Sequence, residues 1–232
     1  MKTNWYSMVS RMQARRDSAE PIEHILGGTV FCGEWFIVTK DVLIPRAETE
    51  MLVDFVMNAL CSMPYAPRVL DLGIGSGCIA VMLAKKLNCH VVAVDISDKA
   101  LNVAKQNAKM HGVSEKIEFI KSDWYEGLEI ERVDIIVSNP PYIAEEEWGE
   151  IPEEVKQYEP KSALLAGEKG LDCYKAIISG AIKHLVPGGR IVLEIGYKQA
   201  DLVKGLLKET FKDMEVIKDQ YGNDRVVSAW IN

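Results

Sequence analysis

An α/β fold on a mixed, mostly parallel sheet, with an antiparallel hairpin at one edge, is predicted by three observations. From Pro67 onward, short apolar strand signals alternate with helical ones, the pattern of a parallel sheet covered on both faces. A glycine-rich loop, Asp71-Leu-Gly-Ile-Gly-Ser-Gly77, separates the first such strand from its helix, and an acid, Asp95, closes the next strand. The last two strand signals have no helix between them, so they pair as a hairpin and the sheet is mixed.

The elements follow in order. The first 20 residues are polar and mixed and suit a helix or a frayed end. Thr29 to Val38 reads as two short strands around Gly33, a hairpin, and a turn follows at Ile44-Pro45-Arg46. From Glu48 to Leu60, Met51, Leu52, Phe55, Val56 and Ala59 fall on one helical face. Strands are expected at Arg68–Leu72, Val91–Val94, Ile117–Ile120 and Val133–Ser138, the last apolar enough to be buried on both faces. Helices are expected at Cys78–Leu87, from an N-cap at Ser97 or Asp98 through Met110, at Leu171–Leu185 closed by Pro187-Gly188-Gly189, and at Gln199–Thr210. Arg190–Ile195, Met214–Lys218 and Arg225–Trp230 complete the strands.

Composition narrows the function classes. The 232 residues accommodate one large domain with a small appendage. No apolar run approaches the roughly 18–20 residues of a membrane helix, and residues 1–20 lack the apolar core of a secretory signal. The five cysteines form no C-x-x-C pair, which argues against a disulfide framework or a zinc site and fits a reducing cytoplasm. A net charge of −7 argues against a broad nucleic-acid footprint, which needs clustered Lys and Arg.

Two loops carry chemistry. In the first, glycines permit a tight turn and close approach of a ligand, and Asp95 lies 22 residues beyond Gly73, a spacing suited to ribose hydroxyls. The strict dinucleotide fingerprint fails, because Cys78 stands where its last glycine belongs, and no phosphate-binding G-x-x-x-x-G-K-[ST] occurs. The D-x-G-x-G-x-G pattern is similar to motif one of the class I S-adenosylmethionine methyltransferases. The second loop is Asn139-Pro140-Pro141-Tyr142, after the fourth strand of the series. A planar amide or aromatic amine is a weak nucleophile because its lone pair is delocalised. A catalyst must accept both of its N–H groups and aim the nitrogen. The Asn139 side-chain oxygen accepts one, the Pro140 carbonyl the other, the prolines stiffen the loop, and Tyr142 offers a face for a planar group. This loop resembles those of enzymes acting on sp² nitrogen, adenine and glutamine methyltransferases alike.

Further segments narrow the resemblance: Glu20-Pro-Ile-Glu-His-Ile-Leu-Gly-Gly28, Val42-Leu-Ile-Pro-Arg-Ala-Glu-Thr-Glu50, Ser122-Asp-Trp124, Glu159-Pro-Lys-Ser-Ala-Leu164, Gly170-Leu-Asp172 and Tyr221-Gly-Asn-Asp-Arg225. With these the chain resembles the release factor glutamine methyltransferase (HemK-type) family from about Glu20 to the C-terminus. The resemblance implies a Rossmann-like seven-stranded sheet, S-adenosylmethionine as cofactor with S-adenosylhomocysteine as product, no metal, and a partner, a class I peptide chain release factor methylated on the glutamine of its Gly-Gly-Gln loop. It implies a cofactor site of Asp71, Gly73, Ile74, Gly75, Ser76, Gly77, Asp95, Ile96, Asp123, Trp124 and Asn139. Catalysis falls to Asn139, Pro140 and Tyr142, and substrate binding to these with Pro141, Arg46 and Glu48. The domain division expected is 1–20 as a remnant of the family's longer helical N-terminal domain, 21–45 as a β-hairpin linker, and 46–232 as the methyltransferase domain. Pro45-Arg46-Ala47 departs from the family, which usually has a second proline there. The alternatives are a ribosomal protein glutamine methyltransferase, an adenine-amine methyltransferase on DNA or RNA, and a non-catalytic binding partner. The acidic balance and the lack of length for a target-recognition region weigh against the adenine enzyme. Intact Asn139 weighs against the non-catalytic partner.

Overall fold

The structure, a computed structural model, describes residues 5–61, 63–87 and 89–231. Residues 1–4 of the expected N-terminal segment lie outside the described residues. Helix α1 (Trp5–Asp17) buries no side chain. It is tied down at its end, where Arg15 donates to both carboxylate oxygens of Glu20 (2.7 and 2.5 Å) and Tyr158 donates to the Ser18 carbonyl. A short helix α2 (Ile22–Leu26) leads into the antiparallel pair β1 (Gly28–Phe31) and β2 (Glu34–Ile37). Helix α3 (Ala47–Leu60) then buries Thr49, Leu52, Val53, Val56 and Leu60.

The main sheet has seven strands: β3 (Arg68–Leu72), β4 (His90–Asp95), β5 (Ile117–Lys121), β6 (Val133–Ser138), β7 (Leu185–Glu194), β8 (Phe211–Lys218) and β9 (Asp224–Ile231), in the order β5-β4-β3-β6-β7-β9-β8. β3 pairs parallel with both β4 and β6, and β9 pairs antiparallel with both β7 and β8. The C-terminal hairpin thus inserts its second strand into the sheet and leaves β8 at the edge. Every residue of β6 is buried, its apolar residues as a strand covered on both faces requires; Asp134 is satisfied by Tyr65 O–H and Arg68 N–H, and Ser138 donates to the Leu72 carbonyl. Helices α4 (Cys78–Lys86) and α5 (Asp98–Met110) join the strands on one side; α7 (Asp172–His184) and α8 (Ala200–Leu207) join those on the other, after a short α6 (Glu153–Tyr158). Two large apolar clusters form the core. One centres on α3, α4 and α5, with Phe31, Leu52, Met82 and Leu83; the other centres on α7 and α8, with Leu70, Ile136, Tyr174 and Ile177.

One boundary differs from the sequence expectation. Pro187-Gly188-Gly189 does not close α7 but lies inside β7, where Leu185 pairs with Val133 across a register shift. The irregularity lets an edge-like Pro-Gly stretch occupy a strand, which local turn preference alone does not foresee. The short helices α2 and α6 have no signature in the sequence pattern, because segments of five and six residues carry too little periodicity to register.

The topology places the site. The chain runs outward from β3 to β4 and β5, then returns to β6 on the other flank. The strand order therefore switches between β3 and β6, and a ligand crevice belongs at their carboxyl ends. The glycine loop follows β3 and the Asn-Pro-Pro-Tyr loop follows β6.

Candidate active site

At that crevice lie two adjoining cavities of about 390 and 190 Å³. The larger has the size of a small-molecule site, about 300–1,000 Å³. Gly73, Ile74, Gly75, Ser76, Asp95, Ile96, Asp123, Trp124, Asn139, Pro141 and Arg46 line it. Pro140 and Tyr142 line the smaller one, and Asn139 and Arg46 border both.

The glycine loop is built around Asp95. Its Oδ2 accepts from the Gly75 N–H at 3.0 Å and its Oδ1 from the Ser97 N–H at 2.9 Å. Each oxygen keeps lone-pair capacity for a further donor. Burial raises the carboxyl's pKa against the lowering effect of these amide donors. Gly75 has φ of 55°, and no atom stands within 4 Å of where its Cβ would be. The loop therefore needs its left-handed turn and leaves room above it. Ser97 also caps α5, accepting from the Ala100 N–H at 3.2 Å. Opposite, Trp124 adopts φ of 50°, uncommon for a bulky residue. Its ring edge comes within 3.8 Å of a Cβ built on Gly73, which lays the indole along the cavity wall.

Three of the expected residues lie off the cavity walls. Asp71 is fully buried beneath the loop, where its Oδ2 accepts from Ala80 N–H in the first turn of α4. Burial, with Asp95 adding repulsion, pushes its carboxyl up to about 7. Gly77 caps α4 at φ of 83°, and a Cβ there would meet Ala104 of α5 at 2.9 Å, so it serves close helix packing. Glu48 faces Arg225 at 3.9 Å and lines neither cavity.

The acceptor side is organised by residues that carry no motif. Asn139 Nδ2 donates to Thr49 Oγ1 of α3 at 3.0 Å, so the carboxamide oxygen is the end left for a ligand. Gln199 holds the rest of the loop. Its Nε2 donates to the Tyr142 carbonyl (2.9 Å) and the Gly170 carbonyl (3.3 Å), while its Oε1 accepts from Gly196 N–H and Tyr174 O–H. Gln199→Ala should cost about 1–3 kcal/mol of stability, since it strands buried groups, and lower turnover through a loosened loop; urea unfolding and initial rates read the two effects. Unchanged values for both would remove Gln199 from this role. The Tyr142 hydroxyl is pushed up to about 12, first by burial and then by Glu194, so it stays protonated at neutral pH. Arg46 is engaged: its Nη2 donates at 2.5 Å to Glu159, whose other oxygen accepts from the Ile44 N–H at 3.0 Å. Glu159 is 5% exposed, and the pair joins the segment before α3 to the segment after α6 across the rim of both cavities. Thr49, Glu159, Gln199 and Glu194 had no motif of their own to mark them. Thr49 and Glu159 fell within segments singled out by resemblance, without a role of their own; Gln199 and Glu194 did not.

Among the described residues, no group of three or more His, Cys, Asp or Glu is arranged to hold a metal ion, and no helix is long and apolar enough to cross a membrane.

Comparison with known proteins places this geometry. Residues 47–154 match the family model described as the methyltransferase small domain. The chain is 44% identical over 220 residues to the release factor glutamine methyltransferase of Geobacter sulfurreducens, covering 94% of this chain and 76% of that one. It is 46% identical over 218 residues to the protein of the same name from Cereibacter sphaeroides, covering 93% and 76%. Among solved structures, a methyltransferase from Pyrococcus furiosus superposes with a TM-score of 0.62 at 20% identity, covering 96% of this chain and 98% of that one. The 16S rRNA N2 G1207 methyltransferase of Thermus thermophilus, solved with AdoMet and guanosine, superposes with a TM-score of 0.63 at 21% identity, covering 88% and 50%. These two likenesses show the class I methyltransferase fold. The extent and identity of the sequence relatives carry the narrower conclusion: the chain belongs to the release factor glutamine methyltransferase family.

Proposed function

We propose that this chain methylates the side-chain amide nitrogen of the glutamine in the Gly-Gly-Gln loop of a class I peptide chain release factor, with S-adenosylmethionine as methyl donor. The observation that carries the reading is Asn139. It stands between a cofactor-sized cavity and a smaller one, with its amide nitrogen bound to Thr49 and its oxygen unengaged by that bond. The larger cavity fits the cofactor chemically: Asp95 offers carboxylate lone pairs to ribose hydroxyls, the glycine loop offers close backbone approach, and Trp124 with Asp123 offers a border for an adenine. When bound, S-adenosylmethionine would supply an electrophilic sulfonium methyl for the amide nitrogen, with S-adenosylhomocysteine as the leaving product and one amide proton released to solvent.

In this reading the chain's own contribution is placement. The Asn139 oxygen and the Pro140 carbonyl accept the two amide N–H groups, so the nitrogen's lone pair is directed at the larger cavity. Tyr142, protonated and held by Gln199, packs on the planar amide. Arg46, held by Glu159, shapes the mouth. The reading includes a cytoplasmic setting, where release factors act and where five unpaired cysteines stay reduced.

The test is methyl transfer from labelled S-adenosylmethionine to a purified release factor, with a Gln→Ala change in the Gly-Gly-Gln loop as control. Label is expected on the wild-type factor alone. Equal label on both, or on neither, would sink the reading, and label on a ribosomal protein or on nucleic acid instead would transfer the site to that substrate.

A further inference from the structure

Glu194 ends β7 on the wall of the smaller cavity, beside Asn139, Pro140 and Tyr142. It is 2% exposed, Thr49 and Asn139 stand near enough to its carboxyl to favour the ionised form, and its Oε2 has no partner among the described residues. A buried acid with an unsatisfied oxygen costs stability, so its presence at an acceptor pocket calls for a role. We propose that Glu194 is a positioning residue that sets, through Thr49, which end of the Asn139 carboxamide faces the acceptor. The inference rests on the reading that the acceptor nitrogen brings two N–H groups to this pocket.

The argument is one of proton count. A threonine hydroxyl has one proton and two lone pairs. An ionised Glu194 can only accept, so it takes the Thr49 proton. Thr49 then shows Asn139 nothing but lone pairs, and Asn139 must answer with its N–H, as observed at 3.0 Å. The carboxamide oxygen is thereby held toward the substrate, where an acceptor is needed. A protonated Glu194 can itself donate to Thr49. The Thr49 proton is then free to go to the Asn139 oxygen, and the amide can turn over. Its NH2 would then face the substrate NH2, donor against donor. Besides Thr49 and Asn139, the groups that face Glu194 are Glu48 on α3, Arg225 on β9, Tyr142 after β6 and Tyr174 on α7. Burial dominates, Glu48 adds repulsion, and Thr49, Arg225 and Asn139 oppose them, which leaves the carboxyl raised to about 7. Both forms are therefore populated near neutrality. The sign follows: the competent orientation belongs to the ionised form, so turnover rises with pH through about 7 and levels above it.

Two measurements decide the matter. In uniformly ¹⁵N-labelled protein without substrate, the Asn139 side-chain NH2 signals, assigned by their loss in Asn139→Ala, should shift with a midpoint near neutral pH. Glu194→Gln should abolish that titration. Signals that ignore pH in the wild type, or titrate identically in Glu194→Gln, would overturn the proposal whatever the substrate proves to be. In steady-state assays with a release factor, Glu194→Gln should lower kcat by up to about 100-fold, as misplacement of a reacting group does, flatten the pH profile, and leave the KM for S-adenosylmethionine within about twofold. Thr49→Val should do the same, and Thr49→Ser should recover most of the loss. An unchanged kcat and pH profile in both Glu194→Gln and Thr49→Val would overturn the positioning role while methyl transfer stands. A wild-type chain that folds, binds cofactor and leaves the release factor unlabelled would count against the substrate reading alone, and the NMR titration would still judge Glu194.

Discussion

Asn139→Ala is expected to lower kcat for methyl transfer by about 10²–10³-fold, the loss seen when one preorganised polar group of an active site is removed. Affinity for S-adenosylmethionine should change by no more than a few-fold. The asymmetry follows from geometry. Asn139 borders both cavities, but the bond that fixes it runs from Nδ2 to Thr49, and the oxygen it leaves is the group required by the acceptor. Alanine removes that oxygen and strands Thr49 without disturbing the Asp95 loop. Single-turnover rates and calorimetric cofactor titration separate the two effects. A variant that methylates at the wild-type rate would show that the amide clamp is not how this site works.

Asp95→Ala should do the reverse. Loss of charge-assisted hydrogen bonds to a ribose is worth about 1.5–3 kcal/mol, or about 10- to 150-fold in cofactor affinity, while kcat at saturating cofactor stays within a few-fold. The structure adds a second consequence. Asp95 also accepts from Gly75 and Ser97, so the variant releases the glycine loop and the turn into α5. Asp95→Asn should fall between, because one of its side-chain groups still accepts while the other presents a donor to a backbone N–H. A cofactor titration that finds wild-type affinity in Asp95→Ala would remove this residue from the cofactor site.

The two loops were legible because each carries its chemistry in adjacent residues. Glycines between a strand and a helix, and Asn-Pro-Pro-Tyr after a mostly apolar strand, have few uses, and period-two and period-3.6 patterns assign the flanking elements. The elements that escaped were those of five or six residues and the Pro187–Gly189 stretch, where pairing of Leu185 with Val133 overrides the turn preference. Asp71 and Gly77 belong to the same glycine motif, yet they support the loop from beneath: a motif records which residues must be present, not which of them reach the ligand.

By itself, the sequence determined the strand and helix series, the glycine loop with its distant acid, the loop of acceptors, and the family resemblance. All of these depend on local order, or on a spacing that one strand and one helix span. Tertiary structure alone decided that Thr49 holds Asn139, that Glu159 holds Arg46, that Gln199 holds Tyr142, and that Glu194 is buried against the acceptor cavity with an oxygen to spare. Those partners lie 90, 113 and 57 residues apart for the first three pairs. No local periodicity spans such distances. The contacts exist because the sheet reverses its order between β3 and β6 and brings α3, the β6 loop and the end of β7 to one crevice. A buried carboxylate then acquires its meaning from the hydrogen bonds it lacks as much as from those it makes.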